Sequence, residues 1–195
     1  MGVLSGKEIR KRLSRPINDS QSIVITPLLD DDFGNDAIDL RLGCYFRLPA
    51  TTSIECIRPY NNFNNINQHY PELIHKPYGR KEDEALILQP HHAVLASTLE
   101  YIKIPKDVSG QILTKSSWAR IFINIASAPW VHPFYRGCLT LEITNTGNVP
   151  VALSVGKPIA QLIFIKIEGE LENGDDIIEG SYAGAVKPES PMFNH

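Results

Sequence analysis

The stretch CLTLEITNTG, residues 138–147, alternates apolar and polar side chains in the way that a half-buried β-strand does. One face of this strand would be apolar and would consist of Leu139, Leu141 and Ile143. The other face carries a carboxylate, that of Glu142, among smaller polar side chains. The pattern therefore predicts a strand, and it leaves open whether Glu142 is solvated or takes part in chemistry.

Similar short stretches recur along the chain and are mostly separated by Pro, Gly, Asn or Asp. They are SIVITPLL (22–29), AIDLRLGCYFRL (37–48), EALILQP (84–90), HAVLASTLEYIKIP (92–105), GQILTK (110–115), RIFINIAS (120–127), VPVALSV (149–155) and PIAQLIFIKIE (158–168). Such a series is typical of an all-β sandwich or barrel. No helix-length amphipathic segment lies between these stretches, so a doubly wound α/β fold is not expected.

The stretch at 37–48 shows the alternation most clearly. Its apolar face would consist of Ile38, Leu40 and Leu42, and its other face would carry Asp39 and Arg41. We expect the first set to lie in the core of the sheet.

One short helix is predicted near the N-terminus. Ser5 is followed three residues later by Glu8, which is the spacing of a capping box. Ile9 and Leu13 are four residues apart and would share one face, and Pro16 would end the helix. We expect this helix to pack on the sheet and to carry no chemistry.

The length of 195 residues predicts a single domain over 1–195. Within it, residues 60–84 are rich in Asn and turn formers and are expected to form a long surface excursion. The tail from about residue 168 is acidic and then rich in Gly and Pro. It is expected to be a mobile end or a segment that closes over a site or a neighbouring subunit.

The composition excludes several classes of function. The formal net charge of -3 argues against binding to nucleic acid, because neutralising phosphates needs surplus Lys and Arg. No apolar run is long enough to span a membrane, and no signal-peptide core is present, so the cytoplasm is the expected location. The three cysteines are far apart in sequence, which argues against a disulfide framework and against a structural zinc site.

Two stretches carry residues suited to chemistry. GQILTKSSWARIFI (110–123) brings hydroxyls and cations together, which fits either a phosphate cradle or a Ser/Thr turn entering a helix or strand. WVHPFYRG (130–137) places aromatic residues around His132, which fits either a wall for a flat sugar or base, or a packed hairpin. The zinc-deaminase signature, an HxE with a downstream PCxxC, does not occur, and neither does a P-loop.

Taken in order, four segments resemble the dCTP deaminase family of the trimeric dUTPase-like superfamily. They are DAIDLRLG (36–43), LASTLEYIKIPKDVSGQILTKSSWAR (95–120), HPFYRGCLTLEITNTG (132–147) and GKPIAQLIF (156–164). The resemblance implies a mainly β domain, a distorted β-barrel or jelly roll with a short N-terminal helix, that assembles as a homotrimer with sites between subunits. It also implies dCTP as the ligand, with Mg²⁺ bound through the triphosphate and without zinc or a protein metal site.

The resemblance also implies roles for individual residues. Glu142 matches the catalytic glutamate, and Ser116 and Arg120 match the serine and arginine that complete the deamination site. The substrate-binding positions that it implies are Lys115, Ser117, Ala128, His132, Tyr135, Gln161 and Tyr182. Lys115 and Ser117 would lie near the phosphates, and the backbone of Ala128 would hold the base. His132 and Tyr135 would occupy the turn that contacts deoxyribose.

The function implied is the hydrolytic deamination of dCTP to dUTP and ammonia. Without zinc, a carboxylate must take a proton from the attacking water and deliver protons to the ring and the leaving group. Arg120 would orient the glutamate or the water and stabilise developing charge, and Ser116 would donate a hydrogen bond.

Two alternatives remain. The first is a dUTP diphosphatase, or a bifunctional dCTP deaminase that continues to dUMP; against it, His132 stands where many relatives carry an Asp that serves the water. The second is an inactive nucleotide-binding or regulatory homologue. It is favoured by a tail that lacks the Gln-rich stretch of deaminases and the Gly-rich motif of dUTPases, and that keeps only SYAGAV (181–186).

Overall fold

The structure, a computed structural model, describes residues 2–29, 33–50, 56–57, 72–76, 85–125, 127–169, 171 and 184–191. Helix α1 spans Gly6–Leu13, and the side chain of its N-cap, Ser5, accepts a hydrogen bond from the backbone N–H of Glu8. Ile9 is fully buried beneath the helix. The capped packing helix predicted from the sequence is thus confirmed.

Strands form nearly all of the other regular secondary structure in the described part of the chain. They are β1 Val24–Thr26, β2 Ala37–Leu48, β3 Glu72–His75, β4 Leu86–Leu88, β5 Ala93–Lys103, β6 Val108–Thr114, β7 Ile123–Ile125, β8 Trp130–Val131, β9 Arg136–Asn145, β10 Val151–Leu153 and β11 Pro158–Lys166. A one-turn helix, α2 Ser116–Ala119, lies between β6 and β7. These elements confirm the mainly β prediction.

The main sheet is antiparallel and has the strand order β7-β9-β5-β2-β11-β6-β8, with β1 pairing to β5 and β3 pairing to β2. Strands β4 and β10 form a separate two-stranded sheet. Thr114 at the end of β6 hydrogen-bonds to Ile125 of β7, from the opposite end of the strand order. The main sheet therefore curls round its core as a distorted barrel does.

The core is filled by the apolar faces of these strands. Ile38, Leu40 and Leu42 of β2 are at most 1% exposed, as the alternation predicts. The opposite face of β2 is not left to solvent either, because the guanidinium of Arg41 pairs with the fully buried carboxylate of Glu100 at 2.7 Å. The backbone N–H of Arg41 donates to the same carboxylate at 3.0 Å.

A bend in β2 explains the glycine of the DAIDLRLG motif. The pairing between β2 and β5 shifts register between Leu42 and Phe46. A Cβ on Gly43 would lie 2.8 Å from the backbone oxygen of Ser97 and 2.9 Å from that of Thr98. Only a residue without a side chain lets the two strands approach this closely.

The structure describes parts of the 60–84 stretch and of the tail from about residue 168. Strand β3 falls inside the 60–84 stretch that the sequence predicts as an excursion. From the tail, Gly184 donates its N–H to Arg136 O at 2.6 Å, and Ala185 O accepts from Cys138 N at 2.7 Å. Most of both regions lies outside the described residues, so the predicted domain division stays a prediction. Within the described ranges, no helix has the length and apolar character needed to cross a membrane.

Candidate active site

Glu142 lies near the middle of β9, directly opposite Leu95 of β5. Its neighbours along the strand, Leu141 and Ile143, are completely buried. The two-residue period of the strand therefore turns Glu142 away from the core, and its side chain is half-buried. One carboxylate oxygen, Oε2, accepts a hydrogen bond from the backbone N–H of Ala128 at 3.3 Å. Two predicted site residues, Glu142 and Ala128, are thus in contact.

The loop between β6 and β7 is fastened at its base by one hydroxyl. Thr114 Oγ1 donates to Ile125 O at 3.0 Å and accepts from Ile125 N at 2.9 Å. Helix α2 lies inside this loop, and the indole N–H of Trp118 donates to Pro158 O at 3.0 Å. The sequence KSSWAR thus forms a single helical turn held against the start of β11.

Three predicted site residues, Ser116, Ser117 and Arg120, lie on this loop and are exposed. None of their side chains forms a hydrogen bond or ion pair with a described residue of this chain. In particular, neither Ser116 nor Arg120 bonds to Glu142. The single chain brings Ala128 to Glu142, and it leaves the serine and the arginine facing outward.

A second contact group joins two other predicted residues, and we call it the Asp39 cluster: Asp39, Lys115 and Gln161. The carboxylate of Asp39 pairs with Lys115 Nζ through Oδ2 and accepts from Gln161 Nε2 through Oδ1 at 3.0 Å. Asp39 belongs to the DAIDLRLG motif, but the sequence does not mark it as a site residue. Alternation along β2 places Asp39 on the face turned away from the core, where it lies opposite Gln161 of β11. That alternation is the sequence signal that could have identified Asp39.

The turn before β9 carries His132, which is exposed, and Tyr135, which is half-buried. Tyr135 donates its hydroxyl to Cys138 O at 2.8 Å, and burial raises the pKa of that hydroxyl well above its ordinary value. A Cβ on Gly137, whose φ is 143°, would lie 2.8 Å from Ala185 O. Sugar contacts from His132 and Tyr135 stay a prediction, and Tyr182 lies outside the described residues.

The asparagine of the motif TLEITN is structural. Asn145 is buried, and its amide donates to Leu88 O at 3.0 Å and to Val149 O at 2.9 Å. Its side-chain oxygen accepts from Gly147 N at 3.0 Å. Asn145 therefore ties the end of β9 to the end of β4 and to the turn that follows β9, and it fixes the strand that carries Glu142.

The described residues contain no group of three or more His, Cys, Asp or Glu side chains placed to hold a metal ion. The polar groups concentrated around α2 are instead an ammonium, two hydroxyls and a guanidinium, which are chemically suited to phosphate oxygens.

A family model described as dCTP deaminase-like matches residues 3–167. The chain belongs to the dCTP deaminase-like family. This confirms the family resemblance inferred from the four motifs, and all four motifs lie inside the matched range.

Individual relatives of this dCTP deaminase-like protein match it over most of both chains. A Methanobrevibacter smithii protein named dCTP deaminase, dUMP-forming is 34% identical and is matched over 97% of this chain and 94% of the relative. A Nanoarchaeum equitans protein of the same name is 37% identical, over 85% and 84%. A Natronomonas pharaonis protein named dCTP deaminase is 33% identical, over 96% and 93%.

Among solved structures, 2'-deoxycytidine 5'-triphosphate deaminase from Agrobacterium tumefaciens superposes with a TM-score of 0.62 at 20% sequence identity. The superposition covers 87% of this chain and 50% of that one. At this identity the likeness concerns the fold alone, and it agrees with the mainly β, curled sheet described above.

Proposed function

We propose that this protein catalyses the hydrolytic deamination of dCTP to dUTP and ammonia, with Glu142 as the general base. The observation that carries the proposal is the hydrogen bond from Ala128 N–H to the Glu142 carboxylate at 3.3 Å. The backbone of Ala128, which is expected to hold the cytosine base, is thus hydrogen-bonded to the carboxylate of Glu142, which is expected to transfer protons to that base. Family membership and the names of the relatives support the same reaction.

In the proposed reaction, the oxygen of a water molecule adds to C4 of cytosine, and Glu142 passes one proton of that water to ring N3. The remaining hydroxyl proton then moves through Glu142 to the amino group. The C4–N bond breaks, ammonia leaves, and the C4 carbonyl of uracil forms. Arg120 and Ser116 would orient the water and stabilise the charge that develops on it.

The triphosphate would lie against the loop that carries α2. Lys115 supplies positive charge and Ser117 supplies a hydroxyl, while Arg120 and Ser116 of the same loop are left for the reacting centre. Mg²⁺, which keeps water and phosphate ligands readily, would be held through the triphosphate oxygens and would neutralise part of their charge. The protein residues that hold the metal indirectly are therefore those that hold the phosphates.

The proposed assembly is a homotrimer in which Glu142 of one subunit meets Ser116 and Arg120 of another. Two observations support it: these side chains do not bond to Glu142 within one chain, and the adjacent Ile121 and Phe122 are 48% and 62% exposed. Such apolar exposure beside charged residues is typical of an interface.

Mixing inactive variants tests the shared site. Glu142→Gln and Arg120→Ala are each expected to be inactive, whereas trimers formed from both would contain some sites with both wild-type residues. Co-expressed subunits should therefore regain ammonia release, and light scattering should give three times the mass of one chain. A monomer, or mixed trimers without activity, would refute the shared site.

Glu142→Gln alone tests the general base, because the amide keeps the size of the side chain but cannot take the proton. We expect ammonia release to fall by at least about 10²–10⁴-fold, the contribution of general acid–base catalysis. Circular dichroism and calorimetric titration with dCTP should show an intact fold and nearly unchanged binding. Turnover equal to that of the wild type would remove Glu142 from the mechanism.

A second candidate is a bifunctional enzyme that continues from dCTP to dUMP. It is favoured by the two relatives named dUMP-forming, at 34% and 37% identity. The assay that separates the candidates measures ammonia and pyrophosphate together, with dCTP or dUTP as substrate and with Mg²⁺ present. Ammonia without pyrophosphate supports the deaminase alone, ammonia with pyrophosphate supports the bifunctional enzyme, and binding without either product supports an inactive homologue.

A further inference from the structure

We infer that Asp39 is a positioning residue that holds the ammonium of Lys115 and the amide of Gln161 in place, so that Lys115 is presented to the phosphates of the nucleotide. Asp39 itself would touch neither the substrate nor the reacting atoms. The inference deepens the proposed function and rests on it for the identity of the ligand.

The register of the sheet brings the three residues together. Asp39 of β2 stands directly opposite Gln161 of β11, and Gln161 stands opposite Leu113 of β6. Residues directly opposite each other point to the same face of a sheet, and so does a residue two positions further along a strand. Lys115 follows Leu113 by two positions, so its side chain leaves the chain on the face that carries Asp39.

The contacts use both oxygens of the carboxylate. Oδ2 pairs with Lys115 Nζ and Oδ1 accepts from Gln161 Nε2 at 3.0 Å, so rotation of the carboxylate would break one contact or the other. The side chains of Asp39 and Lys115 are only 19% and 23% exposed. At this degree of burial the pair is better shielded than a surface ion pair, whose charges are screened by water and salt.

The lysine still has capacity for a ligand. An ammonium carries three N–H donors, and the Asp39 contact uses one of them. Among the residues that the structure describes, the other two donors have no hydrogen-bond partner, and they can serve phosphate oxygens on a side chain that is otherwise among the most mobile in proteins. Because Lys115 is the N-cap of α2, fixing it also fixes the start of the turn that carries Ser116 and Ser117.

A double-mutant cycle tests the inference. Asp39→Asn and Lys115→Met are made singly and together, and Asp36→Asn serves as the control because Asp36 is exposed three residues away and loses the same charge. Two quantities are measured with Mg²⁺ present: the affinity for inorganic tripolyphosphate by calorimetry, and kcat and KM for dCTP from ammonia release. Thermal unfolding of each variant checks the fold.

We expect Asp39→Asn to weaken tripolyphosphate binding and to raise the KM for dCTP, each by about tenfold, because the lysine loses its orientation. The value of kcat should stay unchanged, because the lysine would contact the phosphates equally in the ground and transition states. In the Lys115→Met background, Asp39→Asn should cause no further loss, and Asp36→Asn should cause none in either background.

Equal losses in both backgrounds would show that Asp39 supports only the fold, and unchanged or tighter binding in the wild-type background would also overturn the inference. If Asp39→Asn fails to fold, Asp39→Ser replaces it, because this variant removes the carboxylate that holds Lys115 and keeps a small polar side chain on β2. If the tripolyphosphate affinities follow the expected cycle but no nucleotide yields ammonia, the positioning role of Asp39 stands and the proposed deaminase function is refuted.

If ammonia is released but Asp39→Asn has no effect, the deaminase function stands and the positioning role is refuted. A wild-type protein that neither binds tripolyphosphate nor releases ammonia would refute both.

Discussion

Replacing Glu100 by Gln removes the carboxylate from the buried pair with Arg41 and keeps its shape. Glu100 is fully buried and accepts from Arg41 Nε at 2.7 Å and from Arg41 N at 3.0 Å. A glutamine can accept only one of these bonds and would turn an N–H toward the other donor. The guanidinium of Arg41, whose side chain is 6% exposed, would then lose the buried carboxylate that accepts from its Nε.

Removing one partner of a buried ion pair costs about 3–5 kcal/mol of unfolding free energy, a large share of the total for one domain. For a chain of this length, that loss lowers the midpoint of thermal unfolding by about 6–20 °C. Circular dichroism during heating measures the shift, at one fixed protein concentration because the proposed trimer would gain stability with concentration. Asp36→Asn is the control for loss of a carboxylate charge at the surface.

The double variant Arg41→Met/Glu100→Leu completes this test. Well-packed apolar residues often replace a buried pair at little cost, so the double variant should lose less stability than Glu100→Gln alone. A loss below about 1 kcal/mol for Glu100→Gln, which is the contribution of an exposed pair, would refute the assigned burial and coupling.

Two further predictions concern Cys138 and Gly43. Burial, assisted by the nearby carboxylate of Glu100, raises the pKa of Cys138 from 9.0 to about 11. Iodoacetamide at pH 8 should therefore modify the exposed Cys56 and spare Cys138 in the folded protein, as mass spectrometry would show; equal modification of both would contradict the burial. Between pH 9 and about 11 the unfolded chain loses this proton while the folded chain keeps it, so unfolding free energy should fall with rising pH more steeply in the wild type than in Cys138→Ala. Gly43→Ala should lower the free energy of unfolding by about 1–3 kcal/mol, because the added Cβ would meet backbone oxygens 2.8 and 2.9 Å away. The control Gly2→Ala should have no effect, because a Cβ there would have no atom within 4 Å. Equal midpoints of thermal unfolding for the two variants would contradict the close approach at Gly43.

Local periodicity was sufficient to predict most of the strands. The stretch quoted at 37–48 is β2 with the same limits, and β9 buries the apolar face expected for it. Strands β3 and β8 are not predicted, because their sequences, ELIH and WV, show no alternation of apolar and polar residues. Their place is set by pairing with β2 and β6, which are distant in sequence.

The site could be predicted only in part. The family resemblance points to Glu142 and Ala128, which are 14 residues apart, and the structure places them in contact. The Asp39 cluster joins residues up to 122 positions apart through the register of three strands, and a single sequence does not contain that register. The pairing of Arg41 with Glu100, 59 positions away, was missed for the same reason.

The double hydrogen bond between Thr114 and Ile125 has a consequence for the proposed binding of the nucleotide. It joins the two ends of the loop that carries Ser116 and Arg120, so the loop has lost part of its conformational freedom before any ligand arrives. Immobilising these side chains on a ligand therefore costs less entropy than immobilising a loop whose ends are free to separate. A single threonine hydroxyl in this way lowers the ordering cost for every group on the loop.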